Sequence, residues 1–109
     1  MIRALFICSQ NKLRSPTAER VFASWLGVET DSAGLLNDAT IPLSAEQLEW
    51  ATMIFVMEKT HWTKLRKKFS ASLKHKRIIC LDIPDEYDFM DPALVKLLES
   101  KVARFLQRT

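Results

Sequence analysis

Residues 4–19 read ALFICSQNKLRSPTAE, and this stretch decides the fold. It begins with a continuous apolar run that is short enough for a buried strand, and it turns polar at Ser9. Ser15 then suits the N-cap of a helix, and Pro16 suits the first helical position, where a missing N–H is not needed. The stretch therefore predicts a strand, a polar loop, and a helix from Pro16 to about Leu26.

A loop between a strand and a helix is well placed to bind an anion. Loop amides and the first amides of the helix can point at one spot, and the helix dipole adds roughly half a positive charge there. Arg14, at the end of the loop, adds a planar guanidinium that matches a tetrahedral oxyanion. Cys8 would lie at the bottom, where these positive groups favour the thiolate. The pattern predicts a cysteine nucleophile facing a bound phosphate.

The rest of the chain alternates strands and helices. Further strands are predicted at 28–32, 52–57 and 77–81, with helices after Ser44, over 58–69, and from Pro92 to the end. Such alternation indicates a parallel sheet with right-handed crossovers, and the first strand is apolar enough to be its centre. We therefore expect an α/β fold, a three-layer αβα arrangement with a four-stranded parallel sheet, as a single domain over 1–109.

Composition narrows the class of protein. The 109 residues are 48% hydrophobic and 27% charged, which is ordinary for one globular domain. Two cysteines do not make a secreted disulfide framework, and the N-terminus lacks the layout of a signal peptide. No apolar stretch approaches the length of a membrane span. We expect a cytoplasmic protein that does not associate with membranes.

An acidic loop follows the fourth predicted strand. Ligands of parallel sheets bind outside the carboxyl ends of the strands, so this loop and Cys8 should lie at the same edge. Its carboxyl groups could protonate a leaving group and then activate water. Position alone leaves Asp82, Asp85 and Asp88 open as the proton donor.

The remaining side chains with chemical potential have simpler interpretations. Cys80 lies in an apolar strand and is expected to be buried. His61 and His75 have no metal-ligand spacing and are expected at the surface. Trp62 is expected in the apolar stripe of its helix. The basic stretch 59–77 is interpreted as a solvated helix face, so nucleic acid is not an expected partner.

The run from Phe6 to Glu19 resembles the phosphate-binding loop and following helix of the low-molecular-weight protein tyrosine phosphatases. The agreement is at Cys8, Asn11, Arg14, Ser15, Pro16 and Glu19. Residues 31–34 (DSAG) resemble the segment after the second strand of that family, and residues 85–87 (DEY) resemble its acid loop.

This resemblance implies a role for each matching residue. Cys8 is the nucleophile, Arg14 holds the phosphoryl oxygens, and Asp85 is the general acid. The resemblance also implies a set of loop and supporting residues: phosphate binding by Ser9, Gln10, Asn11, Lys12, Leu13, Arg14 and Ser15, stabilisation of the thiolate by Ser15, bracing of the loop by Asn11 and Ser32, and an aromatic wall from Tyr87. It implies a cytoplasmic phosphatase without metal or cofactor, acting on a phosphorylated protein or a small phosphoester.

The sequence departs from the family pattern at three places. Gln10 stands where a glycine is usual, and Leu13 stands where many members have a second cysteine, so a thiol switch is not expected. Only nine residues separate Gly34 from Ser44, where the family has a longer excursion that helps wall the pocket. Two alternatives stay open: a non-catalytic phosphate-binding module, and an arsenate reductase, which would need more cysteines than Cys80 to relay a disulfide.

Overall fold

A parallel sheet with β1 at its centre organises the molecule. The computed structural model describes residues 1–106 of the 109. The strands are β1 (Ile2–Cys8), β2 (Val28–Gly34), β3 (Met53–Val56) and β4 (Arg77–Cys80). They lie in the order β2-β1-β3-β4, and every neighbouring pair is parallel. The predicted four-stranded parallel sheet with a central first strand is confirmed.

Helices cover both faces of this sheet. They are α1 (Arg14–Phe22), α2 (Ala45–Trp50), α3 (Lys59–Phe69) and α4 (Pro92–Leu106), with a short 3₁₀ turn at Ser70–Leu73. Phe6 and Phe55 point to one face, where they pack with buried residues of α1 and α4. Leu5 and Ile54 point to the other, where they pack with Leu48 of α2 and Leu65 of α3. Because successive strand residues face opposite sides, these two cores give the predicted αβα layers.

The last helix has one buried apolar face. Its buried residues are Leu94, Leu98, Val102 and Leu106, which recur every four positions. Asp91 accepts a hydrogen bond at its Oδ1 from the amide of Ala93 at 2.9 Å, so it caps the first turn. The predicted continuation of this helix over 107–109 lies outside the described residues. Within 1–106, no helix combines the length and the apolar character needed to cross a membrane.

The first helix differs from the prediction at both ends. It begins at Arg14 rather than Pro16, and Ser15 is not its N-cap, because Leu13 holds that position without a side-chain bond. It ends at Phe22 instead of Leu26. Leu26 is fully exposed, so continuing the helix through it would bury nothing. The chain turns at Gly27 instead, where φ is 78°, a conformation that glycine adopts without strain.

Two predictions about side-chain burial were wrong. Cys80 is only partly buried, because β4 is the edge strand of the sheet. Trp62 is 39% exposed and does not join the core.

The predicted capping box of α2 is confirmed: Ser44 accepts from the amide of Gln47, and the Gln47 side chain accepts from the amide of Ser44.

Candidate active site

Cys8 ends the central strand and lies at the base of the polar loop. Its side chain is buried, and its Sγ lies 2.9 Å from Oγ of Ser15. Asn11 donates from Nδ2 to Oγ of Ser15 at 3.0 Å and to Oγ of Ser32 at 2.9 Å. The Ser15 hydroxyl also has the Ala33 carbonyl oxygen 3.5 Å away as an acceptor, and the nearer sulfur can accept the same proton. Ser32 in turn donates to the carboxylate of Glu19. This buried chain of hydrogen bonds fixes Ser15 beside the sulfur.

The carbonyls at the start of the loop point away from the pocket, toward the segment that follows β2. The carbonyls of Cys8, Ser9 and Gln10 accept from the amides of Leu35, Leu36 and Thr40. In the described part of the chain, no N–H of residues 9–13 donates to another protein group. Asn11 makes the turn possible with a φ of 55°, which asparagine tolerates better than most residues. The outward carbonyls leave the loop amides available to an anion.

Gly34, at the end of β2, allows this close packing. A Cβ on Gly34 would lie 2.5 Å from the Cβ of Ala39, 2.7 Å from the carbonyl oxygen of Ser9, and 3.0 Å from the amide nitrogen of Asn11. Two of these atoms belong to the loop between β1 and α1. Only glycine fits here without moving that loop.

Arg14 is buried, and both neighbouring loops hold its guanidinium. Its Nη1 donates to Oε2 of Glu58 at 2.9 Å and to the carbonyl of Ile83 at 2.8 Å. Its Nε lies 3.7 Å from Oδ1 of Asp85. The Nη1 atom is therefore held by the two segments that follow β3 and β4. The Asp85 carboxylate stands beside the remaining donors and would compete with a bound anion for them.

His61 is buried, so its predicted surface position was wrong. Its Nδ1 accepts from the amide of Glu58 at 3.1 Å, and its Nε2 lies 2.9 Å from Oγ of Ser9. Because the amide can only donate, Nδ1 must be unprotonated and the ring proton sits on Nε2, which donates to Ser9. Burial, and secondarily the charge of Arg14, lower the pKa of His61 to about 4. A neutral histidine thus ties the first residue of the loop to α3.

A pocket of about 230 Å³ opens above the sulfur. Its lining contains the predicted nucleophile Cys8, the predicted acid Asp85, and five of the seven residues predicted to bind phosphate: Ser9, Gln10, Lys12, Leu13 and Arg14. The other two, Asn11 and Ser15, are buried and do not line it. Of the three candidate acids, only Asp85 is in this lining. Asp82 instead accepts from the Cys80 thiol at 3.5 Å. Tyr87 is not in the lining either, because it packs against the core between the sheet and α4.

The second cysteine has a different environment. Larger hollows flank Cys80, including one of about 440 Å³ that is also lined by Trp62 and Arg66. Burial, chiefly, raises the pKa of the Cys80 thiol. A protonated thiol is a poor nucleophile, so the larger hollow lacks the chemistry of the smaller pocket.

Sequence reasoning missed three residues of this site: Gly34, Glu58 and His61. Glu58 carried a usable signal, because it directly follows the third apolar strand and so falls at the same sheet edge as Cys8. His61 lies one helical turn further, three residues from Glu58. Gly34 entered the sequence analysis only as part of the resemblance. Its neighbours in the sequence do not indicate that Ala39 and the loop after β1 pack closely against it.

Comparison with known proteins adds evidence on the fold. No protein-family model matches the chain, and no curated protein matches it. Solved structures do match. The arginine phosphatase YwlE from Geobacillus stearothermophilus superposes with a TM-score of 0.78 at 23% identity, covering 96% of this chain and 90% of that one. The low-molecular-weight protein tyrosine phosphatase SP-PTP from Streptococcus pyogenes gives 0.79 at 14% identity, covering 99% and 95%. The chain has the fold of these phosphatases.

A third similar structure is the tyrosine phosphatase AmsI from Erwinia amylovora, with a TM-score of 0.77 at 22% identity, covering 99% of this chain and 95% of that one. The likeness therefore extends over nearly the whole length of both chains. It confirms the fold that the resemblance implied, a low-molecular-weight phosphatase-like αβα sheet.

Proposed function

We propose that this protein is a phosphomonoester hydrolase of the protein-tyrosine-phosphatase type, working through a phosphocysteine on Cys8. One observation carries the proposal: the sulfur, a buried guanidinium and a loop of free amides surround a single pocket. A phosphoryl group needs a nucleophile on one side and positive groups around its three equatorial oxygens. The low-molecular-weight phosphatase fold supports the same interpretation.

The first step forms the phosphocysteine. The Cys8 thiolate attacks phosphorus, and the bond from phosphorus to the leaving oxygen breaks. Arg14 and the loop amides stabilise the charge on the equatorial oxygens. Asp85 donates its proton to the leaving oxygen.

The second step releases phosphate. The Asp85 carboxylate takes a proton from water, the water oxygen attacks phosphorus, and the bond from phosphorus to sulfur breaks. Ser15 donates to the departing sulfur and stabilises its negative charge. Glu58, which holds Arg14 on the other side, keeps the guanidinium in place through both steps.

The positions of the two cysteines argue against arsenate reduction. That reaction needs a second thiol to form a disulfide with the first. Ile7, Val56 and Cys80 are register neighbours across three adjacent strands, so Cys80 lies about 10 Å from the end of β1, two strand spacings away. A disulfide needs Cα atoms within about 7 Å. The observations therefore favour ester hydrolysis over arsenate reduction.

Among phosphorylated substrates, esters suit the pocket better than phosphoarginine. The similar structures include both tyrosine and arginine phosphatases. Lys12 belongs to the lining of the pocket, and its charge would repel the cationic guanidinium of phosphoarginine. We propose phosphorylated protein side chains or small phosphoesters as substrates, in the reducing cytoplasm, where the Cys8 thiol stays free.

Hydrolysis of an aryl phosphate in the presence of a metal chelator tests the proposal. Wild-type protein should hydrolyse it, and an acid quench during turnover should trap a phosphocysteine, located by mass spectrometry on the peptide with Cys8. Cys8→Ser should lose turnover and still bind inorganic phosphate. Cys80→Ser is the matched control and should keep its activity. Hydrolysis by Cys8→Ser at the wild-type rate would overturn the mechanism, and phosphate binding without any wild-type turnover would favour a non-catalytic binding module.

A further inference from the structure

The mouth of the pocket has an unusual chemical lining for a site that would accept an aryl phosphate. None of its seven lining residues is aromatic, and Leu13 is the one aliphatic side chain among them. Tyr87, the expected aromatic wall, is partly buried, packs against the core and does not line the pocket. No lining residue therefore offers a ring for stacking. The exposed residues of the lining are polar or charged, namely Gln10, Lys12 and Asp85.

Lys12 is the exposed cation of this mouth. It follows Asn11, whose positive φ turns the loop, and its side chain both faces solvent and lines the pocket. In the described part of the chain, its ammonium has no carboxylate within 4.0 Å and no hydrogen-bond acceptor. Asp85, the one acid of the lining, lies instead beside Arg14. The positive charge of Lys12 is thus uncompensated by its neighbours.

The size of the pocket determines which part of a substrate can contact Lys12. At about 230 Å³ it is smaller than the roughly 300–1,000 Å³ of typical small-molecule sites. Cys8 and Arg14 take the phosphoryl group at its base, so the pocket holds that group and the first atoms of the leaving group. Whatever the leaving group carries next lies at the rim, beside Lys12.

We propose that this pocket selects phosphomonoesters that carry a second anionic group, a carboxylate or another phosphate, next to the ester, and that Lys12 binds it. The inference rests on the proposed function for the location of the phosphoryl group. Its physical basis is charge complementarity at a partly solvated rim, which sets specificity more than total affinity. The second anion can come from an acidic residue that flanks a phosphorylated side chain or from a small molecule with two acidic groups.

Matched pairs of substrates test this selectivity. The small-molecule pair is 3-carboxyphenyl phosphate and its neutral isostere 3-carbamoylphenyl phosphate. The peptide pair is a phosphotyrosine peptide flanked by glutamates and the same peptide flanked by glutamines. For each pair, the ratio of kcat/KM, anionic over neutral, is measured in wild type and in Lys12→Gln. Comparing ratios removes differences in intrinsic reactivity and any general loss in the variant.

The wild-type ratio should exceed the Lys12→Gln ratio by about 1.5- to 5-fold, the range measured for exposed ion pairs. Lys12→Arg should restore it, and added salt should reduce it because such pairs are screened. Lys96→Gln, an exposed lysine on α4, should leave the ratio unchanged. A larger effect in the peptide pair points to flanking acids, and a larger effect in the small pair points to small diacids. Equal ratios in wild type and Lys12→Gln for both pairs would overturn the proposal.

Binding separates this inference from the catalytic one. The affinities of 3-carboxybenzyl and 3-carbamoylbenzyl phosphonate for wild type and Lys12→Gln are measured by calorimetry. Neither compound can be hydrolysed, so the comparison does not depend on turnover. If wild type prefers the carboxylate and Lys12→Gln does not, the Lys12 proposal stands even for a protein without phosphatase activity. If both proteins bind the two phosphonates equally, the proposal fails even for an active phosphatase.

Discussion

The Oε2 atom of Glu58 lies 2.9 Å from Nη1 of Arg14. Arg14 is almost completely buried, and Glu58 is 40% exposed, so a surface carboxylate compensates a buried cation. A charge taken out of water needs such a partner, because an unpaired one costs several kcal/mol (on the order of 3–5) when the pair is broken. The same contact sets the rotation of the guanidinium, and with it the direction in which the other donors point.

Removal of this contact should weaken transition-state binding. Glu58→Ala should lower kcat/KM on an aryl phosphate by about 10-fold or more, because a small displacement of a positioning group is costly in rate. Glu58→Gln keeps a hydrogen-bond acceptor and should lose less. Glu86→Gln removes an exposed acid from the loop after β4 and serves as the control. If Glu58→Ala and Glu86→Gln had equal steady-state constants, the anchoring of Arg14 by Glu58 would have no catalytic consequence.

Replacing Asp85 should have two opposite effects. Asp85→Asn removes the proposed proton donor, so aryl phosphates with poor leaving groups should slow by about 100-fold or more and those with good leaving groups much less. It also removes a carboxylate 3.7 Å from Nε of Arg14, so inorganic phosphate should inhibit more tightly.

The other two acids provide the comparison for Asp85. Asp82→Asn and Asp88→Asn should match wild type in both the leaving-group series and phosphate inhibition, because neither side chain lines the pocket. An equal slowing of all substrates by Asp85→Asn would instead point to one of these as the acid.

The buried histidine should make stability depend on pH. The pKa of His61 is lowered from 6.5 to about 4 in the folded protein, so the unfolded chain binds more protons between these values. The free energy of unfolding should therefore fall as pH drops from 6.5 to 4, and this contribution should be constant below 4. Denaturant titrations across this interval measure it.

Two histidine variants identify the source of that pH dependence. His61→Asn keeps an acceptor near the Glu58 amide but cannot titrate, so its stability should fall less on acidification. His75→Asn alters an exposed histidine whose φ of 65° asparagine also tolerates, and it should keep the wild-type slope. Parallel curves for wild type and His61→Asn would assign the pH dependence to other groups.

A single methyl group at Gly34 should disturb the active site. Gly34→Ala places a Cβ 2.7 Å from the Ser9 carbonyl, so the loop must shift. We expect a loss of about 1–3 kcal/mol in the free energy of unfolding, as for other overpacking changes, together with weaker phosphate binding. Gly27→Asn is the control, because its positive φ suits asparagine and it lies at the opposite end of the sheet. Wild-type phosphate affinity in Gly34→Ala would show that the loop tolerates the displacement.

Much of the fold was predictable because its signals are local. The four apolar runs define the strands, and their alternation with helices leaves a parallel sheet as the natural solution. The pairing of Cys8 with a loop arginine was also predictable, since both belong to one strand–loop–helix unit. The local pattern assigned Ser15 to a helix cap, which was wrong, and only the resemblance implied its place beside the thiolate. Its hydroxyl bonds sulfur instead of a helix amide, and that choice depends on Asn11 holding it there.

The burial of His61 shows the limit of a periodic pattern. The apolar spacing of α3 predicted a stripe through Trp62, whereas the buried residues of this helix are His61 and Leu65. Leu65 and Phe69 of the predicted stripe do face the core, but His61 takes the inward place predicted for Trp62. A histidine can occupy it because Ser9 and the Glu58 amide satisfy both ring nitrogens. Partners supplied by distant parts of the chain do not appear in a hydrophobicity pattern.

The position of Cys80 on the edge strand affects how the Cys8 thiol would respond to peroxide. Peroxide converts a reactive thiolate to a sulfenic acid, which a neighbouring thiol can capture and so rescue. Leu13 stands where many members of the resembled family have a second cysteine, so this loop offers no such thiol. Cys80 lies about 10 Å from the end of β1 by strand spacing. On the proposed mechanism, an oxidised Cys8 would lack an internal resolving thiol, so only an external thiol would protect it from oxidation to the sulfinic acid. Without such a thiol, peroxide should inactivate this protein irreversibly, and activity measured after adding a reductant checks this.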